Sequence, residues 1–193
     1  MKKLVLLTAV MLIAAQFAVA GPFGLEKGMT LGEVTSVCGG KKPKQVAEDC
    51  YIIEPQNRHE EFETYIAWID KDEGLNYLKA VGESIMCNDN GTQIRNRFAD
   101  MHKRLNSRYG EGELVDRARN SLWGLSDDTH WMYTLKTGDR VLASFWYDNL
   151  PEGLAGVALV TEADEFMYKK ARLCLEYEFS NYVKVQRKND EML

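Results

Sequence analysis

Residues 21–40 read GPFGLEKGMTLGEVTSVCGG, and the order of the fold turns on how that stretch is read. Thr30 and Glu33 stand three apart just before an apolar pattern. That is the spacing of a capping box, in which each side chain satisfies a backbone N–H that the first helical turn leaves unpaired. Such a cap contributes about 1 kcal/mol. Leu31, Val34 and Cys38 then recur at i, i+3 and i+7, and Gly39-Gly40 supplies residues that leave a helix in the left-handed conformation. The stretch predicts a short amphipathic helix with a defined start and stop.

On its N-terminal side, Lys2-Lys3, the apolar run Leu4 to Ala15 and the small residues Ala18-Val19-Ala20 have the form of a signal peptide over 1–20, cleaved after Ala20. The run is shorter than the roughly 20 residues that cross a bilayer. The expectation is a soluble periplasmic protein beginning at Gly21, with no stable membrane anchor after cleavage. Loss of Lys2 and Lys3 leaves 22 basic against 29 acidic residues, a formal charge of −7, which argues against nucleic acid or anionic lipid as a general partner.

The 173 residues that follow Ala20 suffice for a hydrophobic core without metals or cross-links. All four cysteines lie in this part, and an even number in an oxidising compartment predicts up to two disulfides. Cys38 ends the first helix and Cys50 opens the next strand, so a bridge between them would close a short loop and contribute roughly 3 kcal/mol. That leaves Cys87 with Cys174, which sits between Arg172 and Glu176 on the polar side of a strand. Buried free thiols are the alternative.

Toward the C-terminus, Lys41 to Asp49 reads as a polar connector and Cys50 to Glu54 as a strand stopped by Pro55. Phe62 to Asp70 reads as an interior strand covered on both faces, and Leu75 to Met86 as its return. Thr92 opens the longest helix, with Ile94, Phe98, Met101, Leu105 and Tyr109 on one stripe and Gly110 as its stop. After a connector carrying Leu122 and Trp123, strands are expected at His130 to Leu135, Arg140 to Tyr147, Leu154 to Thr161 and Ala171 to Phe179, then a polar tail able to form a last helix. A helix followed by strands thus occurs twice. The chain reads as an α+β protein whose residues 21–87 and 88–193 form two helix-then-antiparallel-meander halves packed as one globular domain.

Signals for chemistry are weak. His59-Glu60-Glu61-Phe62-Glu63 begins like HExxH but carries Glu63 where the second imidazole must stand, and Asp70 to Gly74 fits a hairpin turn better than a calcium loop. GxSxG elbows, CxxC pairs and glycine-rich phosphate loops are missing from the sequence, so no cofactor and no metal is expected. Asp127, Asp128 and His130 are the best local cluster of proton-transfer groups, the basis of a periplasmic-hydrolase alternative. A candidate interaction surface consists of Arg97, Arg104 and Arg108 along the long helix and Trp146 as an aromatic anchor. Leu142 and Trp146 occupy the strand face opposite Val141, Ala143, Phe145 and Tyr147, and burial of Trp146 beneath a helix is the alternative.

The run Gly28-Met29-Thr30-Leu31-Gly32-Glu33-Val34, closing at Gly39, resembles the opening of the SmpA/OmlA-type outer-membrane lipoproteins, where a G-M-T-x-x-x-V helix precedes a small antiparallel sheet. The fold class of that family includes β-lactamase-inhibitor-like tandem repeats. The resemblance implies a fold and no functional residue, and Gly21 stands where the family has a lipidated cysteine. The function expected from the sequence is a non-catalytic periplasmic binding or interaction module with an envelope protein as partner. A special case is an inhibitor of an extracytoplasmic enzyme.

Overall fold

The computed structural model describes residues 21–118 and 130–190. The expected leader at 1–20, the connector with Leu122 and Trp123, and Asp127 and Asp128 lie outside the described residues.

The cap and length of the opening helix follow from its spacing, while Leu31 of its expected apolar stripe stays exposed. After a 3-10 turn at Pro22–Gly24, helix α1 spans Leu31–Val37, and its capping box is formed in both directions. Thr30 N donates to Glu33 Oε2 at 2.8 Å and Glu33 N to Thr30 Oγ1 at 3.3 Å. Val34 and Cys38 turn into the core.

The sheet is built from β1 (Lys44–Ala47), β2 (Cys50–Ile53), β3 (Phe62–Asp70), β4 (Gly74–Gly82), β5 (Ile85–Met86), β6 (Glu113–Ala118), β7 (Arg140–Trp146), β8 (Leu154–Ala163) and β9 (Lys170–Phe179). The other helices are α2 (Thr92–Tyr109), α3 (Trp131–Lys136) and α4 (Tyr182–Asp190). All pairings are antiparallel, in the order β1-β2-β3-β4-β9-β8-β7-β6, with β5 paired to β9.

This corrects the expected division into two helix-then-meander halves. The last strand, β9, pairs with β4 from Tyr77↔Glu178 to Val81↔Cys174, and with β8 on its other side. Backbone hydrogen bonds therefore run unbroken through one nine-stranded antiparallel sheet, and the architecture is β-rich with four helices on it. A second correction lies at His130 to Leu135, read as a strand. Trp131, Met132 and Leu135 recur at i, i+1 and i+4, the side of a helix that packs on β7 and β8, and α3 forms there. Two edge strands, β1 and β6, went unread because their residues are mostly exposed and lack the apolar alternation that marks a half-buried strand.

Helices α1, α2 and α3 share one core with one face of the sheet. From α2, Ile94, Phe98, Met101, Leu105 and Tyr109 are buried against β5, β8 and β9, each worth about 1.5–3 kcal/mol. Gly91 is required at its start: its φ is +66°, and a Cβ there would lie 2.2 Å from the Trp131 ring. Asp70 closes the β3–β4 hairpin by accepting from Asp72 N and Glu73 N at 2.8 and 2.7 Å, the turn read from Asp70 to Gly74.

Candidate functional site

Alternate side chains of a strand point to opposite faces of its sheet. In β9, Leu173, Leu175, Tyr177 and Phe179 enter the core beneath the helices, so Arg172, Cys174, Glu176 and Glu178 face the other way. Register carries that assignment outward. Val81, Lys79 and Tyr77 of β4 stand opposite Cys174, Glu176 and Glu178, and Ile66 and Trp68 of β3 stand opposite Lys79 and Tyr77. On the other side Gly156, Ala158 and Val160 of β8 are level with Glu178, Glu176 and Cys174. Phe145 and Ala143 of β7 are level with Ala158 and Val160, which places Tyr147 beside Gly156.

These residues form an open face, across the sheet from the core shared by α1, α2 and α3. At one end α4 lies against β4, with the Tyr182 ring 5.3 Å from that of Tyr77. Tyr147 is 59% exposed and Val141 45%; Ile66, Trp68, Tyr77 and Phe145 are half-buried. The expected covering of β3 on both faces is thus corrected, because its Thr64, Ile66 and Trp68 face is only half-buried. A ring surface of this kind in water is unusual for a monomer and suits contact with another molecule.

The centre of the face is charged. Lys79 Nζ lies 2.6 Å from Glu162 Oε1 and 3.0 Å from Glu176 Oε1, and Arg172 Nε lies 3.3 Å from Glu162 Oε2. Burial works against the charge of Glu162, yet Lys79 holds its carboxyl below the ordinary value. Lys79 itself is raised, burial notwithstanding, by the Glu162 hydrogen bond, with Glu176 adding to it. Cys174 lies within this cluster, and burial, followed by the Glu162 charge, pushes its thiol up to about 12. It stays protonated near neutrality and is a poor nucleophile.

The four cysteines are separate buried thiols, with no pair at disulfide distance. The expected Cys38–Cys50 and Cys87–Cys174 bridges are corrected by one physical reason. Cys38 is part of the core and Cys87 packs with it, whereas Cys50 shares the open face with Trp68, its register partner, and Cys174 shares it with Lys79. The sheet stands between the members of each expected pair. Burial raises the thiols of Cys38, Cys50 and Cys87 as well.

The described residues among those singled out from the sequence do not converge. Trp146 is buried at 2% exposure and its Nε1 donates to Gly110 O at 2.9 Å and Asn106 Oδ1 at 3.1 Å, so it is a core residue that ties β7 to the end of α2. Arg97 lies 3.8 Å from Glu61, and Arg108 sits over the Tyr109 ring at 5.3 Å. Arg104 is exposed. These arginines flank α2 on the core side of the sheet, remote from the open face. His130 precedes α3 and lines a small recess with Asp89, Tyr133 and Tyr168. His59 belongs to a turn before β3, where its Nδ1 accepts from Glu61 N. Among the described residues, no group of three or more His, Cys, Asp and Glu side chains is placed to hold a metal ion.

Comparison with protein-family models, characterised proteins and solved structures finds no match. No helix among the described residues is long and apolar enough to cross a membrane. Sequence reasoning missed Trp68, Tyr77, Phe145, Tyr147 and Glu178 as site residues. Their common signal was present: Arg172, Cys174, Glu176 and Glu178 alternate with four large apolar residues in β9, which marks the face turned away from the core.

Proposed function

We propose that the chain is an exported, non-catalytic binding module that engages an envelope partner through the open face of its sheet. One observation carries this reading: Trp68, Tyr77 and Phe145 are held half-buried, and Tyr147 largely exposed, on the sheet face across from α1, α2 and α3. Aromatic side chains on such a surface offer large contact area at low entropic cost, which is why they dominate binding hot spots. Inhibition of an extracytoplasmic enzyme is the same reading with an enzyme as partner. The test is a photo-crosslinking residue placed at 141 on the open face and, separately, at 104 on α2, in cells expressing the full chain. Capture of a discrete partner from position 141 and not from 104 is expected. Capture from 104 alone would overturn the reading.

A further inference from the structure

Glu178 stands apart from the other charges of the open face. Lys79 and Arg172 are taken up by Glu162 and Glu176, and among the described residues no ion pair reaches Glu178. Burial, then the Glu176 charge, holds its carboxyl above the ordinary range. Three tyrosines surround it. Tyr77 is its register partner on β4, Tyr182 lies 5.3 Å from the Tyr77 ring, and Tyr147 approaches across Gly156. A Cβ built on Gly156 would lie 3.4 Å from Glu178 Oε2 and 3.5 Å from Tyr147 Cε1, so carboxylate and ring meet above a residue with no side chain. Tyr147 stacks on Phe145 with 6.1 Å between centroids and 5° between planes, and is 59% exposed. Glu113, the register partner of Phe145, adds a further carboxylate on the same face.

A half-buried carboxylate with no counter-ion among the described residues, beside a largely exposed aromatic ring, matches a guanidinium group best. Its planar fork donates two parallel N–H bonds to a carboxylate while its face stacks on a ring, whereas an ammonium ion fits only as a point charge. The setting is a sheet face and not an enclosed cavity, so a free cation would touch little else. An arginine carried on a polypeptide would add contacts with Phe145, Trp68 and Ile66, and the negative charge of Glu178 and Glu113 complements it. We propose that Glu178 and Tyr147 form a receptor for an arginine side chain displayed by a partner protein. This rests on the reading of the open face as a binding surface and names the chemistry of what binds there.

The test is an NMR titration of the ¹⁵N-labelled protein with N-acetyl-arginine amide, N-acetyl-lysine amide and N-acetyl-citrulline amide, the last being neutral with nearly the shape of arginine. The arginine compound is expected to shift the amides of Tyr147, Gly156 and Glu178. The lysine compound should bind several-fold more weakly and the citrulline compound should leave these signals in place. Glu178→Gln and Tyr147→Leu should each weaken arginine binding about tenfold, with the rest of the spectrum unchanged. Equal binding of citrulline, shifts located elsewhere, or unaltered affinity in both variants would overturn the proposal. A second arm repeats the titration with an acetylated Gly-Arg-Gly-Phe amide. Tighter binding than the single amino acid at the same residues is expected, and equal affinity would indicate a site for a free guanidinium compound and sink the assignment to a partner protein. Crosslinking from position 141 that persists in Glu178→Gln, with no arginine titration in the parent, would refute the arginine receptor while leaving the open-face reading standing. Intact arginine binding without any capture would do the reverse.

Discussion

Replacing Lys79 by Met isolates the charge that holds the centre of the open face. The substitution keeps most of the side-chain length and removes the cation 2.6 Å from Glu162 and 3.0 Å from Glu176. Both carboxylates are left partly buried, with Arg172 as the neighbouring cation on Glu162. Breaking a fully buried pair costs roughly 3–5 kcal/mol and an exposed one about 0–1. The three side chains here are only 21–30% exposed, so a loss of about 2 kcal/mol at pH 7 is expected. The pH dependence gives the sharper check. The folded value of Glu162 is depressed, so its contribution is present above its unfolded value near 4.5 and is lost as pH falls through the folded one. Without Lys79, burial raises the same carboxyl and acid relieves the variant. The gap between parent and Lys79→Met must therefore narrow from pH 7 to pH 4. In urea unfolding followed by tryptophan fluorescence, 2 kcal/mol is a midpoint shift of roughly 1 M. A shift below about 0.3 M at pH 7, or one of equal size at both pH values, would refute the account of this cluster.

The other expectations concern the cap, one glycine, the thiols and Glu178. Thr30→Ala removes the side chain that accepts from Glu33 N and should cost about 1 kcal/mol in the same assay, whereas Thr30→Ser should recover most of it. Gly91→Ala meets both a left-handed φ and the Trp131 ring at 2.2 Å, so a loss of at least about 3 kcal/mol is expected, against about 1 kcal/mol for Gly40→Ala, whose left-handed φ is strained but whose surroundings are open. Cys38, Cys50, Cys87 and Cys174 should react with a thiol reagent only on unfolding, and peptide mapping without reduction should return four unlinked cysteines; a Cys38–Cys50 or Cys87–Cys174 peptide would contradict the separation of each pair by the sheet. Glu178 has a raised folded value, so its ionisation disfavours the fold above that value; Glu178→Gln should add a few tenths of a kcal/mol at pH 7 and nothing at pH 4, read from urea midpoints at both.

Much of the local structure was legible because local rules govern it. The Thr30–Glu33 box, the α2 stripe from Ile94 to Tyr109 and the Asp70 turn each depend on residues within one or two turns of chain, and each forms as its spacing requires. Alternation in β7 also separated Leu142 and Trp146 from Val141, Phe145 and Tyr147 correctly. The errors came where the answer is held by pairing. Nothing in Leu173 to Phe179 states that this last strand inserts between β4 and β8, and that one insertion merges the two expected meanders into one sheet. The disulfide expectation failed for the same reason, since chain proximity of Cys38 and Cys50 says nothing about which side of the sheet each occupies.

The choice between the two faces of β7 shows how a central strand can decide what an outer one leaves open. The β7 face with Leu142 and Trp146 also carries Arg140 and Ser144, whereas Val141, Ala143, Phe145 and Tyr147 make the other face wholly apolar, so its own pattern favours burying the face that is left open. In β9 the faces differ sharply, and Tyr177 pairs with Val157, which pairs in turn with Trp146. Burial of Tyr177 therefore commits Trp146 to the core, where its indole N–H is satisfied by Gly110 and Asn106, and commits Tyr147 to the side of Glu178. The apolar surface of Phe145 and Tyr147 is thus left outside by the polarity of a strand two places away. Core packing gives no reason for two stacked rings there, which is the ground for proposing a binding partner.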